Sequence, residues 1–289
     1  MPFLSMYIYK QYDKDTLDWQ YNNRLHVPEY ATHLERWTQL SNQTEKKLPL
    51  IKDIAYGRQP RQLLDIYPSA KPHSKILIFI HGGYWQRLDK SDFHFIAEAF
   101  SSYGITTVLV TYPLAPAASM DQIVSSCSEA VSWVYKNISQ YSADPEQIYI
   151  AGHSAGGHLV AMMMTQEYFG ENISSTIIKG ACAVSGLYNL VPIQLSFVND
   201  VVNMDKEMAL RNSPVLLQPI TQCPLLLAAG TDESDEFRDQ TRELYSSWKD
   251  KDIPIEYIEL QKLNHYSTVE AMADTDSPLH LAIRKLMQV

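Results

Sequence analysis

The chain has 289 residues, of which 45% are hydrophobic, a formal net charge of −9 and three cysteines. This length suits one large α/β domain or two small ones, and an acidic balance with no Lys/Arg run argues against a nucleic-acid or anionic-membrane surface. Cys127, Cys182 and Cys223 are odd in number, far apart and form no C-x-x-C pair, which suits a reducing compartment and buried small hydrophobes.

In chain order, Met1 to Tyr7 has neither a basic n-region nor a long apolar stretch, so no secretory signal is expected. No apolar segment is long enough to span a bilayer, and the expected location is the cytoplasm. Residues from about Asp13 to Lys47 are polar and aromatic, with helical character and a break near Pro28, and form an N-terminal helical extension of about residues 1–50. Ile51 to Ala55 and Leu63 to Tyr67 read as short strands, and Lys75 to Ile80 as a continuous apolar strand buried on both faces. Ser91 to Tyr103 reads as a helix stopped at Gly104, and Ile105 to Val110 as another buried strand. From Ser119 to Tyr141, Ile123, Cys127, Ala130, Val131, Val134 and Ile138 recur at steps of three and four, a strong helix pattern.

Ile148 to Ala151 and Ile177 to Val184 read as strands. Residues from about 187 to 219 have no steady period and are expected to form an inserted, cap-like segment over the active site. Then come a strand at Pro224 to Ala229, a helix at Glu236 to Asp250, a strand at Ile253 to Leu260 and a last helix at Ser277 to Met287, with His280 expected on its surface. Alternating strands and helices point to an α/β protein with a mostly parallel central sheet flanked by helices, in a single domain over 1–289.

Gly152-His153-Ser154-Ala155-Gly156 fits G-x-S-x-G between an apolar strand and a helix beginning near Gly157. Strand, sharp turn and helix is the setting in which such a serine becomes a nucleophile. A serine needs a base, and the base needs an orienting acid. The turn after the strand at Pro224 to Ala229 offers four carboxylates, with Glu233 and Asp232 as the rival acids. His265, after the following strand, is the expected base. A tetrahedral oxyanion needs preorganised donors. The N–H of Ala155 and the loop His81-Gly82-Gly83-Tyr84-Trp85, with Gly82 and Gly83, fit that need. No metal and no cofactor are expected: His81, His94, His153, His158 and His265 are scattered, H-E-x-x-H is absent, and Gly152 to Gly157 lacks the Lys-Ser/Thr of a P-loop.

These residues together resemble the α/β-hydrolase superfamily, on the side of the hormone-sensitive-lipase-like esterases, whose Tyr-Arg-Leu-Ala-Pro stretch is similar to Tyr112-Pro113-Leu114-Ala115-Pro116. Where those esterases carry His-Gly-Gly-Gly, His81-Gly82-Gly83-Tyr84-Trp85 resembles the kynurenine formamidase (arylformamidase) family. Leu63 to Pro68, Ser185 to Leu190, Arg211 to Pro214 and Ser234 to Phe237 are similar to segments of that family, and the last anchors the acid at Glu233, where the animal enzymes have Asp.

The resemblance implies a serine hydrolase that takes N-formylkynurenine to kynurenine and formate through a formyl-enzyme. The alternatives are a broad-specificity carboxylesterase with the same residues and a non-catalytic binding protein on a hydrolase scaffold. Tyr84 and Trp85 are candidates to stack on an aromatic substrate, and Arg87 and Arg211 to hold its amino-acid end. Expected partners are a small aryl formamide or ester and, as an assembly, a homodimer, with no nucleic acid and no membrane.

Overall fold

The computed structural model describes residues 7–166 and 173–289; the stretch up to Met6, on which most of the leader reading rests, lies outside them. Eight strands among the described residues form one sheet: β1 Ile51–Ala55, β2 Leu63–Tyr67, β3 Ser74–Ile80, β4 Thr106–Thr111, β5 Ala143–His153, β6 Ile178–Val184, β7 Leu225–Gly230 and β8 Ile255–Leu260. Their order is β1-β2-β4-β3-β5-β6-β7-β8. β2 runs antiparallel to both its neighbours, and every pairing from β4 to β8 is parallel.

The period-2 alternation of β3 divides the core. Ile76, Ile78 and Ile80 face one layer with Ile123, Val131 and Leu159. Leu77 and Phe79 face the other with Phe93, Phe100, Met272 and Ile283. Side chains buried this completely each contribute about 1.5–3 kcal/mol relative to exposure. The helices are α1 Lys14–Tyr21, α2 Asn23–His26, α3 Tyr30–Lys47, α4 Phe95–Ser101, α5 Met120–Asn137, α6 Ala155–Met163, α7 Val191–Leu195, α8 Asn199–Val202, α9 Lys206–Arg211, α10 Asp235–Trp248, α11 Ser267–Ala273 and α12 Pro278–Met287.

α5 follows from its sequence. Ser119 Oγ accepts from the N–H of Gln122 while Gln122 Oε1 accepts from the N–H of Ser119, a reciprocal cap ahead of the apolar stripe. The helix expected at Ser91 to Tyr103 is divided: a 3₁₀ turn, Lys90–Phe93, capped by Asp89, precedes α4. α11 falls where a loop was expected, because seven residues are too few for a period to show. His280 also departs from expectation. It lies on the same face of α12 as Ile283 and Met287, is fully buried, stacks on Phe100 at 4.7 Å and bonds through Nδ1 to the carbonyl of Met272. The parallel strands bring the turns after β3, β5, β7 and β8 to one edge of the sheet, the place where open α/β sheets form clefts.

Candidate active site

Ser154 sits between β5 and α6 with φ 57° and ψ −122°, a strained conformation for a residue with a side chain. Its N–H donates to Val184 O at 2.9 Å, and its carbonyl accepts from the N–H of His158 at 3.1 Å. The flanking glycines answer to close packing. A Cβ on Gly156 would lie 1.9 Å from the carbonyl oxygen of Ile80, and one on Gly152 2.3 Å from that of Gly156. Only glycine lets α6 start this close to β3.

His265 Nε2 stands 3.0 Å from Ser154 Oγ, and its Nδ1 stands 2.9 Å from Glu233 Oε1. A carboxylate only accepts, so Nδ1 carries the proton and Nε2 is left to accept from the serine hydroxyl. Glu233 is buried, and its Oε2 accepts from the N–H of Gly230 at 3.3 Å. Asp232 faces solvent, with Thr231 Oγ1 donating to its Oδ1 at 3.3 Å. The structure therefore brings Glu233, and not Asp232, to the histidine.

The loop that presents His265 is held by Asn264, whose Oδ1 accepts from the N–H groups of Tyr266 and Ser267 at 3.0 and 2.9 Å. Phe237 packs on the imidazole at 4.5 Å, and the His153 ring lies 4.8 Å away. His153 Nε2 donates to His265 O at 2.8 Å. Burial, and then the neighbouring His265, hold the His153 pKa well below the ordinary histidine value, so it stays neutral.

The His81 to Trp85 loop lies against the serine: a Cβ on Gly82 would be 3.0 Å from Ser154 Cβ. Gly83 has φ +103°, and a Cβ there would collide with Arg87 O at 2.2 Å. His81 supports this loop from beneath. Its ring stacks on Tyr112 at 4.4 Å, its Nδ1 bonds to Gly82 O at 2.7 Å, and burial pushes its pKa down to about 4. Tyr112 Oη donates to His81 O at 2.9 Å. Ala155 is the first residue of α6, so its N–H has no acceptor within the helix.

A cavity of about 220 Å³ opens onto Ser154 and His265, with Tyr21, Trp37, Tyr84 and Tyr266 in its walls and Arg24 and Arg87 at its rim. Tyr84 also donates from Oη to Tyr21 O at 2.5 Å. Two candidates for substrate contact are not placed here. Trp85 is fully buried with its ring edge-on to His158, a core residue rather than a stacking wall. Arg211 is exposed and holds Asp121, with Nη2 2.6 Å from Oδ2. Among the described residues no group of three or more His, Cys, Asp or Glu is placed to hold a metal ion.

The BD-FAE family model matches residues 64–247. The chain belongs to the BD-FAE family. Kynurenine formamidase from Danio rerio is 30% identical to this BD-FAE chain over 96% of it and 98% of the relative, and that from Salmo salar 32% identical over 86% and 87%. Among solved structures, a candidate thioesterase from Silicibacter sp. superposes with a TM-score of 0.84 at 28% identity, covering 92% of this chain and 98% of its own. An esterase from Pyrobaculum calidifontis superposes with a TM-score of 0.71 at 17% identity over 95% and 96% of the two chains, a likeness of fold alone. The α/β-hydrolase fold and the likeness to kynurenine formamidases expected from the sequence are both borne out, and this BD-FAE chain is a hydrolase of the amidase and esterase kind.

Sequence reasoning missed most of the cavity wall. The segment 187–219 was expected to cover the site, yet of its residues only Phe197 is in the lining. The N-terminal helices supply Tyr21 to Arg24, Leu34 and Trp37. Their aromatic content was visible in the sequence, but no local pattern ties them to a serine more than a hundred residues away. His153 and Phe237, which pack on the base, were missed for the same reason.

Proposed function

We propose that the protein is a serine hydrolase working through an acyl-enzyme, with N-formylkynurenine as substrate. The observation that carries this reading is the hydrogen-bonded line from Ser154 through His265 to Glu233 at the floor of an aromatic-walled cavity. The names of the two fish relatives support the choice of substrate.

In this mechanism Ser154 Oγ attacks the formyl carbon as its proton passes to His265 Nε2. The imidazolium is stabilised by Glu233, and the oxyanion accepts from the N–H of Ala155 and of the Gly82–Gly83 loop. Collapse breaks the C–N bond, and His265 returns the proton to the departing aryl amine. Water, deprotonated by His265, then attacks the formyl ester, and formate leaves as Ser154 regains its proton. An aryl amine is an easier leaving group than an alkyl amine, so a site of esterase type suffices. Tyr84 is in position to meet the aromatic ring.

The three cysteines are free and buried, which supports a reducing compartment, the cytoplasm. Among the described residues no helix is long and apolar enough to cross a membrane. The test is kcat/KM for N-formylkynurenine against a short p-nitrophenyl ester. Efficient release of formate is expected, and an ester preference of orders of magnitude overturns the formamidase reading in favour of a carboxylesterase.

A further inference from the structure

The cavity lining is electrostatically unlike the rest of the molecule. The chain has 33 acidic and 24 basic residues, yet the lining holds Arg24 and Arg87 and no Asp or Glu. Five of the other arginines, Arg36, Arg61, Arg211, Arg238 and Arg242, each reach a carboxylate, and Arg284 lies over the Tyr103 ring at 3.9 Å. Among the described residues neither Arg24 nor Arg87 has a carboxylate within ion-pair distance.

Both arginines line the cavity and are exposed to solvent. Arg87 follows the tight turn closed by the N–H of Gln86 donating to Gly83 O at 3.0 Å. Its stem packs on that turn, since a Cβ on Gly83 would lie 3.2 Å from Arg87 Cγ. Arg87 is thereby tethered to the loop that touches Ser154. Arg24 lies over the Tyr30 ring at 5.1 Å, and Tyr30 neighbours Tyr266 at 6.1 Å, whose ring in turn neighbours the imidazole of His265 at 5.9 Å. Burial, and then the charge of Arg24, pull the Arg87 pKa below its ordinary value. Two cations share one rim with no anion between them.

We propose that Arg24 and Arg87 form a carboxylate-binding subsite at the rim of the Ser154 cavity, selecting aryl substrates whose leaving group carries an anionic side chain. The proposal rests on Ser154 being the nucleophile of this cavity, but not on the substrate being a formamide. A planar guanidinium matches a carboxylate through paired N–H donors, and a charge-assisted bond of this kind is about twice as strong as a neutral one. The apolar walls take the ring while the rim fixes the side chain, so the scissile carbonyl is delivered to Ser154 in one orientation.

The test compares 3-(2-acetoxyphenyl)propanoate with its neutral primary amide, aryl acetates that differ in charge at the side chain. The wild-type protein is expected to favour the anion in kcat/KM, and the ratio of anion to amide is expected to fall by about ten- to a hundredfold in R24M/R87M, with part of it kept in R24K/R87K. A ratio that is equal in wild type and R24M/R87M overturns the proposal, whether or not both rates drop together. Calorimetric titration of the S154A protein with 3-phenylpropanoate and 3-phenylpropanamide reads the same selectivity without turnover, and equal affinities overturn it. A protein that keeps the charge ratio but does not release formate from N-formylkynurenine loses the formamidase reading alone.

Discussion

The floor and the walls of the cavity are built in opposite ways. On the floor, Ser154, Glu233 and His265 are delivered by the ends of β5, β7 and β8, and the backbone around them is locked by glycines and buried imidazoles. The walls come from the end of α1, α2, α3, the Tyr84 loop and Tyr266, mixing buried side chains such as Tyr21, Trp37 and Tyr84 with exposed ones such as Arg24 and Arg87, which meet across long sequence separations. In the proposed mechanism the floor carries the chemistry with little room for change, while the walls are free to alter substrate choice without disturbing it. Tyr84 joins the two, because its hydroxyl ties the Gly82–Gly83 loop to the end of α1.

The strongest challenge to this division is S154A, expected to lower kcat by about 10⁴-fold or more in a formate-release or ester assay; retained turnover would move the chemistry off the floor. Next is G156A, where the added methyl meets the Ile80 carbonyl at 1.9 Å. A loss of more than about 4 kcal/mol or failure to fold is expected from chemical denaturation. A wild-type midpoint would show that α6 does not need this approach. E233Q removes the charge that stabilises the imidazolium and offers an amide donor that favours the wrong imidazole tautomer, so kcat should fall about a hundredfold or more, whereas D232N should stay within about twofold. Equal effects would deny Glu233 its place as the acid.

The floor should also be acid-sensitive. His81 and His158 are pushed down to about 4 and His153 well below the ordinary value, in each case first by burial. Below about 6.5 the unfolded chain binds protons that the folded one refuses, so stability is full above that pH and is lost as pH falls toward about 4, by about 3 kcal/mol for each of His81 and His158, with His153 adding in the same direction. Urea midpoints between pH 7.5 and 4.5 check the sign; a flat profile refutes it. The smallest effect belongs to the junction: Y84F leaves the Tyr21 carbonyl without its donor, at about 1–2 kcal/mol of stability. A severalfold rise in KM with little change in kcat would show that it orders the wall rather than the floor.

The floor was largely legible in the sequence because its constraints are local. A serine in a strand–turn–helix setting, glycines at close approaches, and an acid and a base after successive strands all leave short patterns. Even there, the residue pattern left Asp232 as a rival and only the family resemblance favoured Glu233, the side chain that the turn after β7 directs to His265. Two buried residues misled the reading. His280 was expected outside because polar residues usually are, yet α12 places it against Phe100. Trp85 was expected to meet substrate because of its neighbours, yet the loop turns its ring toward His158.

The succession of strands and helices along the chain, helix periodicity and the candidate reacting residue types were thus determined by the sequence itself, since each depends on neighbours a few positions apart. The cavity wall, the unpaired Arg24 and Arg87, and the covering of the site by the N-terminal helices were decided only by tertiary packing. Those contacts join residues from about sixty to well over a hundred positions apart, through apolar burial that has no direction and leaves no motif.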